Sequence, residues 1–134
     1  PGLPKNLVDL DFDTEKNIKL LCEAKNKEPQ QLTACVLDRP RHKKIINALK
    51  NLGVNINFIS DGDVSGVISV AYAKKNVDIY IGVGGGPEGV LAAAALSCLD
   101  CQMQTRLSFQ DSEEKEKARK LGINDLDKKY NMKT

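Results

Sequence analysis

The apolar positions of the chain alternate between a helical period and short unbroken runs, and this alternation predicts its elements. A helix is predicted to begin after Asp13, a residue type that caps helices, because the apolar residues Ile18, Leu21 and Cys22 follow at helical spacing. Residues 31–37 (QLTACVL) form an apolar run typical of a buried strand. A second helix over 41–51 begins next to Pro40 and ends at Gly53, a residue type favoured just beyond helix ends.

The same alternation continues through the rest of the chain. We predict strands at 54–59, 77–83 and 101–109, and helices at 64–75, 87–96 and 112–121. Pro87 suits the first turn of its Ala-rich helix. The tail from Gly122 shows no strong period.

Repeated strand, loop and helix units predict an α/β domain with a mostly parallel sheet flanked by helices. A chain of 134 residues fits a single domain over 1–134. The loops that follow parallel strands meet at one edge of the sheet, where open α/β sheets bind ligands. Here these loops are 37–42, 60–64 and 82–89.

Composition excludes several classes of function. The chain has 20 Lys and Arg against 18 Asp and Glu, without a basic cluster interleaved with aromatics, so we expect no nucleic-acid partner. No apolar run approaches the roughly 18 residues of a membrane span, and no secretory signal is visible. The four cysteines lack a disulfide-scaffold spacing, which favours a cytosolic protein with reduced thiols. Cys98 and Cys101 form a single C-x-x-C pair, and we expect buried or idle thiols there, with Cys98 on the apolar face of its helix.

The first loop carries two arginines around a proline. Arg39 and Arg41 present planar forks of N–H donors that suit phosphate oxygens, and Pro40 limits how far they scatter. A solvated basic turn at the start of a helix explains these residues equally well. His42, the only histidine, is expected to face solvent rather than to act as a catalytic base.

The second loop places two carboxylates around a glycine. Asp61 and Asp63, on either side of Gly62, can accept hydrogen bonds from sugar hydroxyls or hold a divalent cation. An Asx turn followed by a helix N-cap explains the same residues without any ligand.

The third loop is rich in glycine. Its backbone N–H groups can approach an anion closely, and the helix that follows favours negative charge at its N-terminus. Residues 84–89 also match G-x-G-x-x-G, with Asp111 about 20 residues further on, as in a Rossmann-type NAD domain. Glu88 argues against that function, because its carboxylate would repel a pyrophosphate unless a divalent cation bridged them. A glutamate that only suits the positive end of its helix is the other interpretation.

The segments LDRPRH, ISDGDVSG and IGVGGGPEGVLAAAAL, with CQMQTRL after them, together resemble the class II fructose-1,6-bisphosphatases. These are metal-dependent phosphatases related in fold to the lithium-sensitive phosphatases, and the match in order and spacing runs from 37 to 107. The resemblance implies hydrolysis of fructose 1,6-bisphosphate to fructose 6-phosphate and phosphate, a step of gluconeogenesis, with Mg²⁺ or Mn²⁺. It also implies a cytoplasmic enzyme that is a homo-oligomer when intact. Some relatives accept sedoheptulose 1,7-bisphosphate as well.

The resemblance further implies roles for individual residues. Substrate contacts fall on Arg39, Pro40, Arg41, Asp61, Gly62, Asp63 and Gly85, and the metal-ligating glutamate falls on Glu88. Many relatives have Lys at the first of these positions, and Arg39 keeps its charge. No catalytic residue beyond the metal ligand is implied within this chain.

The family's acidic metal motif and its C-terminal segment have no counterpart in the sequence. Asp9, Asp11 and Asp13 alternate but lack the context of that motif. Because one glutamate cannot build a multi-metal site, we expect a fragment that binds substrate weakly and does not turn it over. A stand-alone module that binds a sugar phosphate or nucleotide at the same loops is the alternative function.

Overall fold

The structure is a computed structural model that describes residues 3–60, 63–70, 76–83, 101–109 and 111–131, together with residues 92, 94, 96, 98 and 99. Of residues 63 and 64 it describes the backbone alone. Most of the helix predicted at 87–96 therefore lies outside the described residues, although residues 92, 94 and 96 are helical. Within the described part, each helix is too short or too polar to cross a membrane.

A parallel sheet of three strands forms the centre of the fold. Its order is β2-β1-β3, with the bounds β1 Thr33–Leu37, β2 Asn55–Ile59 and β3 Ile79–Tyr80. The last four residues of β1 are all buried, as expected for an apolar run covered on both faces. The predicted α/β architecture with a parallel sheet flanked by helices is confirmed.

Four described helices accompany the strands: α1 Thr14–Lys25, α2 Lys43–Leu52, α3 Asp63–Ser69 and α4 Ser112–Lys120. The Asp13 side chain caps α1 by accepting from the Lys16 N–H at 2.7 Å. Gly53 ends α2 in the left-handed conformation, φ 81°, which glycine adopts without strain. These local signals explain why both helices lie where the sequence predicts them.

Helices α1 and α2 form the core with one face of the sheet. Their buried residues, together with those of β1 and its neighbours, make a single cluster of Ile18, Leu21, Leu32, Ala34, Val36, Leu49 and Val54. Side chains alternate across a strand, so Cys35, between Ala34 and Val36, points to the other face of β1.

Helix α3 lies close to that other face at Gly66. A Cβ atom there would lie 2.6 Å from Ile59 Cδ1, 3.0 Å from Tyr80 Cε2 and 3.4 Å from Cys35 Sγ. The missing side chain therefore lets α3 approach all three strands. Residues 71–75, which the sequence also assigned to this helix, lie outside the described residues.

A second, two-stranded sheet pairs β4 Gln104–Arg106 with β5 Lys129–Asn131 in antiparallel fashion. The strand predicted at 101–109 is therefore shorter and belongs to a separate sheet, and the tail without a period contains a strand. Strand β3 is also shorter than the predicted 77–83. The Ile81 N–H still bonds to the Cys35 carbonyl of β1 at 3.3 Å, whereas the Val83 N–H bonds to the side chain of His42.

The N-terminal segment, residues 3–11, lies along the second sheet. Gln102 Oε1 accepts from the Leu7 N–H at 3.2 Å, and Gln104 Oε1 accepts from the Leu10 N–H at 2.6 Å. Gln104 also donates to Asn131 Oδ1 at 3.0 Å. Glutamine side chains of the CQMQTRL motif thus hold the two ends of the described chain together.

Candidate functional site

Side chains of the first loop join the three loops at the carboxyl end of the parallel sheet. Arg39 follows β1 and donates from Nη1 to the Asp38 carbonyl and from Nη2 to the Ser60 carbonyl, both at 2.8 Å. Ser60 begins the loop after β2, so this bond ties the first loop to the second. The Asp38 N–H adds a backbone bond to the Ile59 carbonyl at 2.8 Å.

Arg41 makes the matching connection to the third loop. Its Nε and Nη2 both donate to the Val83 carbonyl, at 3.0 and 2.8 Å. Val83 lies directly before the glycine run. Pro40 begins a 3₁₀ turn, Pro40–His42, for which its fixed φ is suited, so Arg39 directly precedes this turn and Arg41 lies within it.

His42 is fully buried, so the prediction that it faces solvent was wrong. Its Nδ1 lies 2.8 Å from the Leu37 carbonyl, and its Nε2 accepts from the Val83 N–H at 2.9 Å. Because a carbonyl can only accept and a backbone N–H can only donate, these two bonds place a proton on Nδ1 and none on Nε2. The sequence held a signal for this burial: His42 precedes Ile45 and Leu49 by three and seven residues, on the apolar stripe of its helix.

The positive charges of the two arginines face neutral oxygens. A guanidinium has five N–H donors, and each of these two commits a pair of them to main-chain carbonyls. Among the described side chains, no carboxylate forms an ion pair with Arg39 or Arg41. Arg41 is exposed and Arg39 is half-buried. This edge can therefore bind an anionic group such as a phosphate.

Four of the other candidate residues lie outside the described part of the chain: Asp61, Gly62, Gly85 and Glu88. Asp63 is the first residue of α3, and only its backbone is described. Both loops nevertheless start from points that the arginines hold, Ser60 for the second loop and Val83 for the third.

Asp9 and Asp11 are paired with cations of the second sheet. Lys129 Nζ lies 2.8 Å from Asp9 Oδ1 and 2.7 Å from Asp11 Oδ2, and Arg106 also pairs with Asp11. The hydrogen bonds from Lys129, joined at Asp11 by one from Arg106, hold the pKa of both carboxyl groups below the usual value. The same bonds raise the pKa of Lys129 and of Arg106. These carboxylates fasten the N-terminal segment.

The described residues do not supply a metal centre. Among them, no group of three or more His, Cys, Asp or Glu side chains is placed to hold a metal ion. The four cysteines all lie in the described part of the chain and none of them forms a disulfide; Cys101 is buried. Cys98 is exposed, contrary to its expected place on an apolar helix face, and its Sγ donates to the Ala94 carbonyl at 3.6 Å. Burial raises the pKa of the Cys22 thiol, which makes it less reactive.

Comparisons with known proteins point to the same family as the three sequence motifs. The family model described as bacterial fructose-1,6-bisphosphatase, glpX-encoded, matches residues 1–134. The chain is 36% identical, over 98% of its length, to the D-fructose 1,6-bisphosphatase class 2/sedoheptulose 1,7-bisphosphatase of Trichodesmium erythraeum. It is 40% identical, over 81% of its length, to the protein of the same name from Synechocystis sp.. It covers 41% and 32% of these two relatives, so it spans at most about two fifths of their length.

Proposed function

The chain belongs to the family of glpX-encoded bacterial fructose-1,6-bisphosphatases, and from this membership we propose that its full-length protein hydrolyses fructose 1,6-bisphosphate. The products are fructose 6-phosphate and inorganic phosphate, which makes the protein a phosphoric monoester hydrolase. The two relatives are also named for sedoheptulose 1,7-bisphosphate, and the same reaction on that sugar is a second substrate to test.

The observation that supports this proposal most directly is the pair of arginines at the loop edge. Their guanidinium groups have donors to spare and no carboxylate partner among the described side chains, and a phosphate takes such donors in bidentate fashion. Arg39 and Arg41, with Pro40 between them, would anchor the substrate through a phosphate. This anchoring would position the reacting phosphate.

The sugar itself would contact the two other loops. We assign hydrogen bonds with its hydroxyls to Asp61, Gly62 and Asp63, and a backbone contact to Gly85. These loops start at carbonyls that Arg39 and Arg41 already hold, so the residues that bind the phosphate would also set the distance to the sugar-binding loops.

A divalent metal ion enters this proposal through one residue only. We assign Glu88 as a ligand of Mg²⁺ or Mn²⁺, while the described residues form no site that fits either ion. When bound, such an ion neutralises phosphate charge and activates water. The remaining ligands would come from parts of the full-length protein beyond residues 1–134.

We propose that residues 1–134 form one α/β domain of a larger cytoplasmic enzyme of gluconeogenesis. This domain would carry the substrate loops 37–42, 60–64 and 82–89, and the family's N-terminal metal-site portion and C-terminal segment would lie outside it. The enzyme would be a homo-oligomer with a fold related to the lithium-sensitive phosphatases. The 134-residue chain alone would bind substrate weakly and would not turn it over.

The test is phosphate release from fructose 1,6-bisphosphate by the full-length gene product, with and without Mn²⁺ or Mg²⁺. We expect activity that requires the metal and falls at least about 100-fold in Glu88→Ala, because a ligand to the metal is removed. Glu113→Ala, which removes an exposed carboxylate on α4, is the matched control and should retain full activity.

The outcomes separate the competing functions. A full-length protein that is inert with both metals but binds the sugar phosphate would support a binding module without catalysis. Equal activity of Glu88→Ala and Glu113→Ala would contradict the metal role of Glu88. Metal-dependent turnover by the isolated 134-residue chain would contradict the proposal that it is an inactive segment.

A further inference from the structure

His42 has a connection that no substrate contact requires. It is the one buried polar or charged residue among the described residues of the chain. Its ring bridges the end of β1, at the Leu37 carbonyl, and the third loop, at the Val83 N–H. A buried polar ring is costly unless its nitrogens are bonded, and here both ring nitrogens have a partner.

Val83 is held through its backbone rather than through its side chain. Its N–H donates to His42 and its carbonyl accepts from Arg41, so both of its main-chain groups are bonded to the first loop. The residue as a whole is 45% exposed, so the core does not hold it in place. The orientation of the chain just before residue 84 therefore depends on these hydrogen bonds.

Gly82 makes room for this arrangement. A Cβ atom at residue 82 would lie 3.3 Å from His42 Cε1 and 3.5 Å from its Nε2. The absence of a side chain lets the imidazole approach the backbone closely enough to accept from the next N–H. A tight contact of this kind fixes the distance between α2 and the third loop.

We propose that His42 is a positioning residue for the sugar-phosphate site: its Nε2 holds Val83, and Val83 sets the start of the glycine-rich loop relative to Arg41. The inference rests on the proposed function. The acting atom is the acceptor Nε2, and the Nδ1–H bond to Leu37 keeps that nitrogen unprotonated and correctly aimed. An apolar residue could fill the same place on the α2 stripe, but it would leave the Val83 N–H without an acceptor.

Two substitutions separate the acceptor from the rest of the ring. In His42→Gln the amide oxygen can reach the place of Nε2 and accept from Val83, whereas in His42→Asn the amide nitrogen can replace only the donor to Leu37. We expect the Kd of the full-length protein for fructose 1,6-bisphosphate to rise about tenfold or more in His42→Asn. In His42→Gln it should stay within about threefold of the wild type.

Two further measurements do not depend on the substrate. The chain has one histidine, so the ¹⁵N imidazole spectrum of the 134-residue chain reports on His42 alone. We expect a proton on Nδ1 and a hydrogen-bonded, unprotonated Nε2. Hydrogen exchange of the Val83 amide should be slow in the wild type and in His42→Gln, and fast in His42→Asn.

Each outcome decides a separate point. A proton on Nε2, or an unchanged Kd and a protected Val83 amide in folded His42→Asn, would overturn the positioning role. If His42→Asn does not fold, the wild-type tautomer and the affinity of His42→Gln decide the question. If the wild type binds no fructose 1,6-bisphosphate, the proposed function fails, and Val83 exchange still shows whether the His42 bond holds the loop.

Discussion

The two ends of the parallel sheet are both fastened by charged side chains, but the partners of those charges differ. At the amino end, the carboxylate of Asp78 accepts from the Thr33 N–H at 2.9 Å and pairs with Lys25 of α1. At the carboxyl end, Arg39 and Arg41 fasten the loops by donating to main-chain carbonyls. One end joins a cation to a carboxylate, and the other joins cations to neutral oxygens.

This difference separates a structural role from a binding role. The side chain of Asp78 is only 6% exposed, and Lys25 compensates its charge inside the fold. A carbonyl satisfies an N–H donor without cancelling the charge of the guanidinium. The arginines can therefore hold the loops and still attract an anion, which Lys25 cannot do while it is paired.

The largest effect is expected for Arg41→Ala in the full-length protein. We expect kcat/KM for fructose 1,6-bisphosphate to fall about 30- to 100-fold, because charge-assisted bonds to phosphate are lost. The free energy of unfolding should change by less than about 1 kcal/mol, since the side chain is exposed. Steady-state kinetics and denaturant unfolding measure the two quantities. An equal loss of activity in Lys43→Ala, which removes an adjacent exposed cation, would show that the charge acts only from a distance.

The converse experiment is Asp78→Ala. The Thr33 N–H and Lys25 then lose their acceptor, so the free energy of unfolding should fall by about 2 kcal/mol. The Kd for fructose 1,6-bisphosphate should stay within about threefold, because the change is at the opposite end of the sheet. Denaturant unfolding beside Asp127→Ala, an exposed aspartate, provides the control. A large loss of affinity with unchanged stability would reverse the roles of the two ends.

The smallest effect is expected where both partners are charged and partly exposed. The pKa of Asp9 and of Asp11 is lowered in the folded protein, so their pairs stabilise it above the unfolded value of about 3.9. That contribution is lost as the pH falls from about 4 through the lower folded pKa. The difference in melting temperature between the wild type and Lys129→Met should therefore shrink below about pH 4, and it should also shrink in salt. A difference that is the same at pH 7 and pH 3, or that Lys115→Met reproduces, would contradict this account.

Local signals made much of the parallel sheet predictable. The cap at Asp13, the apolar run of β1 and the glycine at residue 53 each act on neighbouring residues, and the structure has a helix start, a strand and a helix end at those places. The arginine pair was likewise visible as a candidate anion site. Its bonds to Ser60 and Val83 were not, because they join residues 21 and 42 positions apart.

The features that could not be predicted from the sequence, strand β5 and the hydrogen bonds of His42, depend on residues far away along the chain. Strand β5 has three residues and no period of its own, and it forms because β4 is available for pairing. His42 is expected to face solvent as a residue at a helix start, although its spacing to the apolar positions of α2 indicates the burial that the structure has. Its partner Val83 lies 41 residues further along the chain. Helix and strand propensities describe neighbouring residues, so they could not predict which of these long-range bonds would form.

The ion pairs of the N-terminal segment also affect how the chain assembles. Asp9 and Lys129 are 120 residues apart, whereas Asn55 and Leu32, which bond where β1 and β2 begin, are 23 apart. Closing the longer loop costs about 1.5 kcal/mol more in chain entropy, so the parallel sheet can form well before the N-terminal segment docks. On the ribosome, residues 3–11 emerge early but find Lys129 late, and we expect them to remain accessible to chaperones and proteases throughout that interval. Limited proteolysis of stalled nascent chains, with and without residue 129 exposed, would measure how long this segment stays unprotected.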